Sequence, residues 1–174
     1  GGFSKEETEN ALIDLNFLGI DNVLVLRGDA AKNEANFEPN PGGHRYAIEL
    51  LNQVVNLNNG IYLEEDLKNG TRTNFCIGVA GYPEKHFESP NPEIDMKFLK
   101  AKVDAGADYI MTQMFFDNKK HFAFVDACRA AGIEVPIVPG LKPLTTKKQL
   151  TVLPRVFHVD LPTELSLEVM KCKS

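Results

Sequence analysis

Residues 102–117 read KVDAGADYIMTQMFFD. The first residues continue a helix, which we expect to stop at Gly106 because glycine readily ends helices. The apolar run from Tyr109 to Met114 then predicts a buried strand. Gln113 lies near the C-terminal end of that strand, where an amide fills a core poorly. The Gln113 amide is better suited to binding a flat heterocyclic ligand, because an amide both donates and accepts hydrogen bonds.

The same order of strand and helix recurs along the chain. Apolar runs predict further strands over 22–26, 75–79 and 135–138. Helical spacing and end signals predict helices from Ser4 to Gly19 and over 44–57, 91–105, 119–131, 146–154 and 163–171. We expect Pro154 to close the helix that Thr146 opens, and a surface hairpin within residues 60–74. Alternating strands and helices predict a parallel sheet covered by helices, which is an α/β fold.

The choice between a doubly wound sheet and a barrel depends on phosphate-binding motifs and on length. No Gly-x-Gly-x-x-Gly follows any strand, so the dinucleotide fingerprint is missing and a barrel is favoured. A (β/α)8 TIM barrel takes about 250 residues. The 174 residues of this chain therefore predict a single domain over 1–174 that forms about half of a barrel.

Composition and charge exclude several functional classes. Lys and Arg number 19 and Asp and Glu number 24, so the formal net charge of -5 argues against nucleic-acid binding. No apolar run predicts a membrane span, and no signal peptide opens the sequence. Cys76, Cys128 and Cys172 lie far apart without zinc-site spacing, which predicts free thiols, no metal site and a cytoplasmic location.

Four runs carry a resemblance to a known family. They are 22–29 (NVLVLRGD), 78–86 (GVAGYPEKH), 102–117 and 136–143 (PIVPGLKP), and they follow one another in order from residue 22 to residue 143. On these runs the sequence resembles methylenetetrahydrofolate reductase. The resemblance implies a TIM-barrel flavoprotein of one-carbon and methionine metabolism that reduces methylenetetrahydrofolate to methyltetrahydrofolate with NAD(P)H through FAD. It also implies that this chain holds roughly strands four to seven.

The resemblance assigns residues to the cofactor, namely Arg27, Gly28, Asp29, Ala80, Gly81, Tyr82, His86, Asp95 and Lys102. Arg27 would bind phosphate, and Asp29 would act catalytically by lying beside the flavin pyrimidine ring and disfavouring negative charge there. Tyr82 and His86 would bracket FAD, with Ala80 and Gly81 leaving room for it. Asp95 and Lys102 would bind ribose hydroxyls and a phosphate. Without the resemblance, each of these residues also fits an ordinary structural role. Residues 27–29 fit a solvated turn, Tyr82 a half-buried ring and His86 a surface loop. Asp95 and Lys102 fit an exposed helix face.

Three further residues match substrate contacts of the family. Gln113 would grip the pterin ring, and Gln149 and Leu153 would form a second contact one helical turn apart. The family pattern has phenylalanine at the Leu153 position, so leucine keeps apolar contact but loses ring stacking. Thr112 faces the opposite side of the strand from Gln113 and is expected to be structural. Phe115 and Phe116 are expected in the core.

The resemblance also implies an incomplete catalytic set. The family's general acid, a glutamate on the first barrel strand, has no counterpart here, so we expect this chain to be inactive by itself and to bind FAD weakly. Open strand edges at 23–26 and 135–138 predict a homo-oligomer, most simply a two-fold dimer. The sequence leaves two alternatives, a related flavin barrel resembling proline dehydrogenase and a non-catalytic scaffold.

Overall fold

A computed structural model describes residues 2–28, 37–64, 66–67 and 70–172. A first helix precedes four strands, each followed by a helix, and a last helix ends the order. The elements are α1 (Lys5–Phe17), β1 (Asn22–Val25), α2 (Ala47–Asn58), β2 (Cys76–Gly81), α3 (Pro92–Asp104), β3 (Tyr109–Thr112), α4 (Asn118–Ala130), β4 (Ile137–Val138), α5 (Gln149–Phe157) and α6 (Thr163–Lys171). The predicted alternation is confirmed.

The strands form one four-stranded sheet in the order β1-β2-β3-β4. β1 pairs with β2 in parallel, with Val23 opposite Ile77, and β3 pairs with β4 in parallel, with Ile110 opposite Ile137. A doubly wound sheet reverses its strand order at a switch point, whereas a barrel keeps neighbours in chain order. The sequential order therefore makes this an α/β fold of the (β/α)8 barrel family, as predicted.

The chain divides into two compact units, each with its own apolar core. The first unit comprises Gly1–Ala80 and Ala101–Tyr109, and the second comprises Gly81–Lys100 and Ile110–Ser174. Buried side chains of the first unit include Leu12, Val25, Leu51, Val54, Leu57, Ile77 and Val79. Those of the second include Leu99, Ile110, Phe115, Phe124, Cys128, Ile133, Leu153 and Val159.

Local end signals explain where the first helix lies. The Ser4 hydroxyl accepts from the Glu7 N–H at 3.2 Å, and the Glu7 carboxylate accepts from the Ser4 N–H at 2.8 Å. This is the predicted capping box, which satisfies N–H groups that lack partners inside the helix. Gly19 follows the helix with a φ of 73°, a left-handed conformation that glycine adopts without a Cβ penalty.

Several predicted details are wrong in the first unit. β1 is an edge strand, as the predicted open edge at 23–26 requires, but it is not buried as predicted, since Leu24 and Leu26 are 38% and 47% exposed. The helix predicted over 44–57 begins at Ala47, with the exposed Tyr46 as its N-cap. Within the described part of 60–74 there is no strand, so the expected hairpin is absent.

The ends of two further elements also differ from prediction. β2 continues through Gly81 because the Gly81 carbonyl accepts from the Gln113 N–H at 2.8 Å, which extends the pairing past the predicted end. α5 runs to Phe157 with Pro154 inside it, so proline does not close this helix. Pro154 lacks the N–H that would donate to the carbonyl four residues earlier, yet the helix continues past it and ends at left-handed His158.

Candidate functional site: the loop after the second strand

The loop over residues 82–91 follows β2 and carries two aromatic rings predicted to contact a cofactor. Tyr82 and His86 lie edge to face, with ring centroids 4.6 Å apart and an interplanar angle of 80°. Both residues are half-buried. The His86 ring also stacks on Phe87, which in turn stacks on His158 at 4.5 Å. These contacts place Tyr82 and His86 together as one aromatic surface.

Asp95, near the start of α3, holds this loop through both carboxylate oxygens. One oxygen accepts from the His86 N–H at 3.1 Å, and the other accepts from the Ser89 hydroxyl at 2.7 Å. The helix start is itself fixed by Asn91, whose side-chain oxygen accepts from the Ile94 N–H at 2.9 Å. The structure therefore brings Asp95 together with His86, two of the residues that the sequence predicted for one site.

Lys85 has a backbone conformation that non-glycine residues rarely adopt. Its φ is 77°, which carries a steric cost for a side chain with a Cβ. Its ammonium donates to the carbonyl of Ser89 at 2.6 Å and to the carbonyl of His86 at 3.1 Å. These charge-assisted bonds hold the loop turned back on itself and offset the strain.

Glu84 ties the same loop to two other elements. One carboxylate oxygen lies 3.1 Å from the ammonium of Lys120 on α4, and the other accepts from the Asp160 N–H at 2.7 Å. The Lys120 ammonium also pairs with the Asp160 carboxylate. Burial lowers the pKa of Lys120, but hydrogen bonds to Asp160 and Glu84 outweigh this effect and raise the pKa above its ordinary value. We call these three residues the Glu84–Lys120–Asp160 triad.

A cavity of about 650 Å³ lies beside the loop within the second unit. Its walls come from the loop, from α3 and from α4, and combine charged with apolar side chains. The lining residues are Tyr82, Pro83, Glu84, Lys85, Pro92, Glu93, Asp95, Met96, Leu99, Lys120, Ala123, Phe124 and Ala127. A cavity of this size, with charged groups set against apolar walls, has the dimensions of a small-molecule site.

The end of β3 brings Gln113 next to Gly81. The Gln113 N–H donates to the Gly81 carbonyl at 2.8 Å, and its side-chain oxygen accepts from the Met114 N–H at 3.0 Å. A Cβ on Gly81 would lie 2.7 Å from Ile110 and 2.9 Å from Phe124. Packing against these side chains is therefore sufficient reason for glycine at this position. The predicted role of Gly81 in making room for a cofactor stays a prediction.

The turn after β4 packs directly against the end of β3. The Gly140 N–H donates to the hydroxyl of buried Thr112 at 2.9 Å. A Cβ on Gly140 would lie 2.1 Å from the Thr112 carbonyl oxygen. Thr112 is thus structural, as expected. Phe115 is in the core as expected at 7% exposure, whereas Phe116, which was expected there too, is half-buried.

The two residues predicted on α5 have structural partners instead of open faces. The Gln149 side-chain oxygen accepts from the N–H groups of Thr145 and Thr146 at 2.6 and 2.9 Å, which fixes the start of the helix. Leu153 is only 2% exposed and belongs to the core. The helical spacing of the apolar residues is by itself enough to explain why Leu153 is buried. Substrate contacts by these two residues stay predictions.

Four other predicted cofactor residues belong to the first unit. The Arg27 guanidinium lies 5.0 Å from the ring centroid of Phe37, a cation–π contact, and Gly28 has a φ of 88° that favours glycine. The Lys102 ammonium donates to the Ala80 carbonyl at 2.7 Å, at the end of β2. Asp29, the predicted catalytic residue, lies outside the described residues.

Sequence reasoning missed the members of the triad and Lys85. Lys120 lies four and eight residues before Phe124 and Cys128, both of which are buried, so it occupies the inward stripe of α4. A charge at such a position indicates a buried partner. Nothing local in the sequence could identify Glu84 and Asp160 as those partners.

Among the side chains that the structure describes, no group of three His, Cys, Asp or Glu is placed to hold a metal ion. Within the described ranges, no helix combines the length and apolar character that a membrane span requires.

Comparison with known proteins identifies relatives over most of the chain. The family model described as methylenetetrahydrofolate reductase matches residues 2–174. Methylenetetrahydrofolate reductase 2 of Saccharomyces cerevisiae is 40% identical over 140 residues, covering 79% of this chain and 21% of the yeast protein. The probable NADH enzyme of Oryza sativa is 36% identical over 170 residues, covering 92% of this chain and 26% of the rice protein.

A relative from an animal carries a different nucleotide in its name. The probable NADPH enzyme of Caenorhabditis elegans is 31% identical over 163 residues, covering 94% of this chain and 22% of that protein. The chain thus spans about a fifth to a quarter of the length of these three relatives.

Proposed function

Because this chain belongs to the methylenetetrahydrofolate reductase family, we propose that the protein is an oxidoreductase that reduces methylenetetrahydrofolate to methyltetrahydrofolate with NADH or NADPH through bound FAD. The observation that carries the proposal is the family match over residues 2–174. The names of the rice and nematode relatives support a nicotinamide nucleotide as the electron donor without favouring either one. Three cysteines without a disulfide support a cytoplasmic location.

The residues of each unit have the chemistry that FAD requires. Arg27 and Lys102 supply cations suited to phosphate, and the edge-to-face rings of Tyr82 and His86 supply apolar and polar contact for a planar ring. Asp95 accepts two hydrogen bonds, and an ionised carboxylate has about four lone-pair sites, so it retains acceptor capacity for ribose hydroxyls. What FAD supplies when bound is hydride transfer between the nicotinamide and the folate.

The proposed roles of Asp29 and Gln113 concern charge and orientation at the reacting groups. The Asp29 carboxylate would disfavour negative charge on the flavin pyrimidine ring and favour a cationic folate species, which is electrostatic preorganisation. Gln113, fixed by its backbone bond to Gly81, would hold the pterin through its amide. Both groups would bind and orient their ligands without forming a covalent bond.

The experiment that tests the proposal uses the full-length protein that contains this chain. We expect it to bind FAD with a flavin absorbance spectrum, to be reduced by NADH or NADPH, and to be reoxidised by methylenetetrahydrofolate in stopped-flow measurements. A protein that takes up no FAD, or whose reduced flavin does not react with this folate, would contradict the proposal.

Gln113→Ala separates folate binding from flavin binding. Each hydrogen bond lost to the pterin is worth about 1 kcal/mol, so we expect the Kd for folate to rise about fivefold to thirtyfold for one or two bonds. The FAD affinity should change less. Titration of the same variant with both ligands is the measurement, and equal losses would argue against the assigned role.

A further inference from the structure

Apart from the residues assigned to the cofactor and the folate, the second unit contains a charged cluster with no role in the proposed reaction. The Glu84 side chain is 10% exposed, the Lys120 side chain is 35% exposed, and the Asp160 side chain is 77% exposed. A nearly buried carboxylate in a loop is costly unless it is paired and hydrogen-bonded. Glu84 meets that condition with two partners, one on α4 and one in the segment after α5.

The triad acts on the loop that carries Tyr82 and His86. Glu84 lies two residues from each of these rings, so whatever fixes Glu84 also limits the positions that they adopt. Lys120 reaches Glu84 from a rigid helix, and the Asp160 N–H reaches it from a segment 76 residues further along the chain. The Phe87 ring adds a second link to that segment by stacking on His158, the residue that ends α5.

We propose that the Glu84–Lys120–Asp160 triad is a positioning device, which holds the Tyr82–His86 loop against α4 and the C-terminal end of α5 in the conformation that binds the flavin cofactor. The proposal rests on the proposed function for the identity of the ligand. None of the three residues is assigned a contact with FAD or folate. Glu84 and Lys120 act through the backbone of the loop, and the Asp160 carboxylate acts through Lys120.

The closest alternative is that the triad contributes only to folding. Other contacts within the loop, from Lys85 and from Asp95, would keep its local shape if the triad were removed. The triad and the Phe87–His158 stack join the loop to α4 and to the segment around Asp160, which the contacts of Lys85 and Asp95 do not reach. Loss of the triad should therefore displace the loop as a unit and lower cofactor affinity more than overall stability.

The test measures FAD affinity of the full-length protein by titrating apoprotein with FAD and following flavin fluorescence. We expect Glu84→Gln and Lys120→Met each to raise the Kd about fivefold, a modest factor because the ammonium is partly exposed. The Kd of the double variant should rise no further than that of the weaker-binding single variant, because both changes break the same interaction. Lys120→Arg keeps the charge, so its Kd for FAD should stay within about twofold of that of the unchanged protein.

Lys119→Met is the matched control, since Lys119 is an exposed neighbour on α4 whose backbone N–H, and not its ammonium, donates to the Asp117 carboxylate. Asp160→Asn is a milder variant that leaves the backbone bond to Glu84 in place. It should raise the Kd less than Glu84→Gln does, and it keeps the test available if stronger variants fail to fold.

Each outcome decides one of two questions. An unchanged protein that does not bind FAD contradicts the proposed function, whatever the variants do. If the unchanged protein binds FAD, then Glu84→Gln and Lys120→Met variants with unchanged Kd overturn the positioning role. Additive losses in the double variant also overturn it. A lower melting temperature of the apoprotein with unchanged FAD affinity would show that the triad serves stability alone.

Discussion

Replacing Gly140 by alanine perturbs the place where the turn after β4 meets the end of β3. The added Cβ would lie 2.1 Å from the Thr112 carbonyl oxygen and 3.3 Å from the Gln113 carbonyl carbon. These are backbone atoms, so no side-chain rotation relieves the overlap. Relief requires the turn and β3 to separate, which would also break the Gly140 N–H bond to the Thr112 hydroxyl.

The expected loss of stability follows from two contributions. Forcing an extra methyl group into a packed interior costs about 1–3 kcal/mol. Losing the hydrogen bond to buried Thr112 costs about 1 kcal/mol more. Their sum is about 2–4 kcal/mol, and for 150–250 residues each kcal/mol lowers Tm by about 2–4 °C. We therefore expect Gly140→Ala to unfold about 4–16 °C below the unchanged protein.

Differential scanning calorimetry and urea unfolding of the two proteins measure this difference. Gly2→Ala is the control, because a Cβ there meets no atom within 4 Å. Thr112→Val separates the two contributions, since it removes the hydroxyl acceptor without adding a group at Gly140. A Gly140→Ala protein that unfolds at the same temperature as Gly2→Ala would refute the close approach of these two segments.

Ser4→Ala removes the hydroxyl half of the capping box of α1 and should cost about 1 kcal/mol in urea unfolding, whereas Ser4→Thr should cost less. Burial raises the pKa of Cys128 to about 11, from 9.0 in its ordinary state. The unfolded thiol therefore ionises first, so stability should be complete below pH 9 and fall as the pH rises toward 11. Cys128→Ala should flatten that decline in unfolding curves recorded over this range. Asp29→Asn should lower folate reduction by about 10²-fold in steady-state assays while leaving FAD bound.

Local sequence signals predicted most of the fold. The capping box at Ser4, the Asn91 cap and the glycines at 19 and 132 each act within a few residues, and each lies where the structure ends or begins a helix. The alternation of apolar and amphipathic segments then required a parallel sheet covered by helices. Signals that act over a few residues identify helices and strands well, because their physical cause lies inside the segment itself.

The errors arose where distant contacts override a local signal. Pro154 is a strong local stop, yet α5 continues to His158, and buried Leu153 lies beside that proline within the helix. β2 extends through Gly81 only because Gln113 supplies a hydrogen-bond donor from another strand. Neither effect is visible in a window of a few residues. The predicted self-association and the single-domain assignment stay predictions.

The candidate site shows the same division between local and distant causes. The motif at 78–86 identified Tyr82 and His86, but their arrangement depends on Glu84, whose partner Asp160 lies 76 residues away. Two residues that pair at this separation produce no periodicity and no local spacing, so a single sequence does not identify them. Such residues become apparent only when the packed structure brings their charges together.

The loop after β2 satisfies its backbone through charged side chains instead of regular secondary structure. The carbonyls of His86 and Ser89 accept from Lys85, and the His86 N–H donates to Asp95. Backbone groups in a turn need such partners, and partners provided by the protein fix the loop before any ligand arrives. A loop ordered in advance loses less conformational entropy on binding. Removing one of these charges should therefore weaken a ligand that the charge itself never touches.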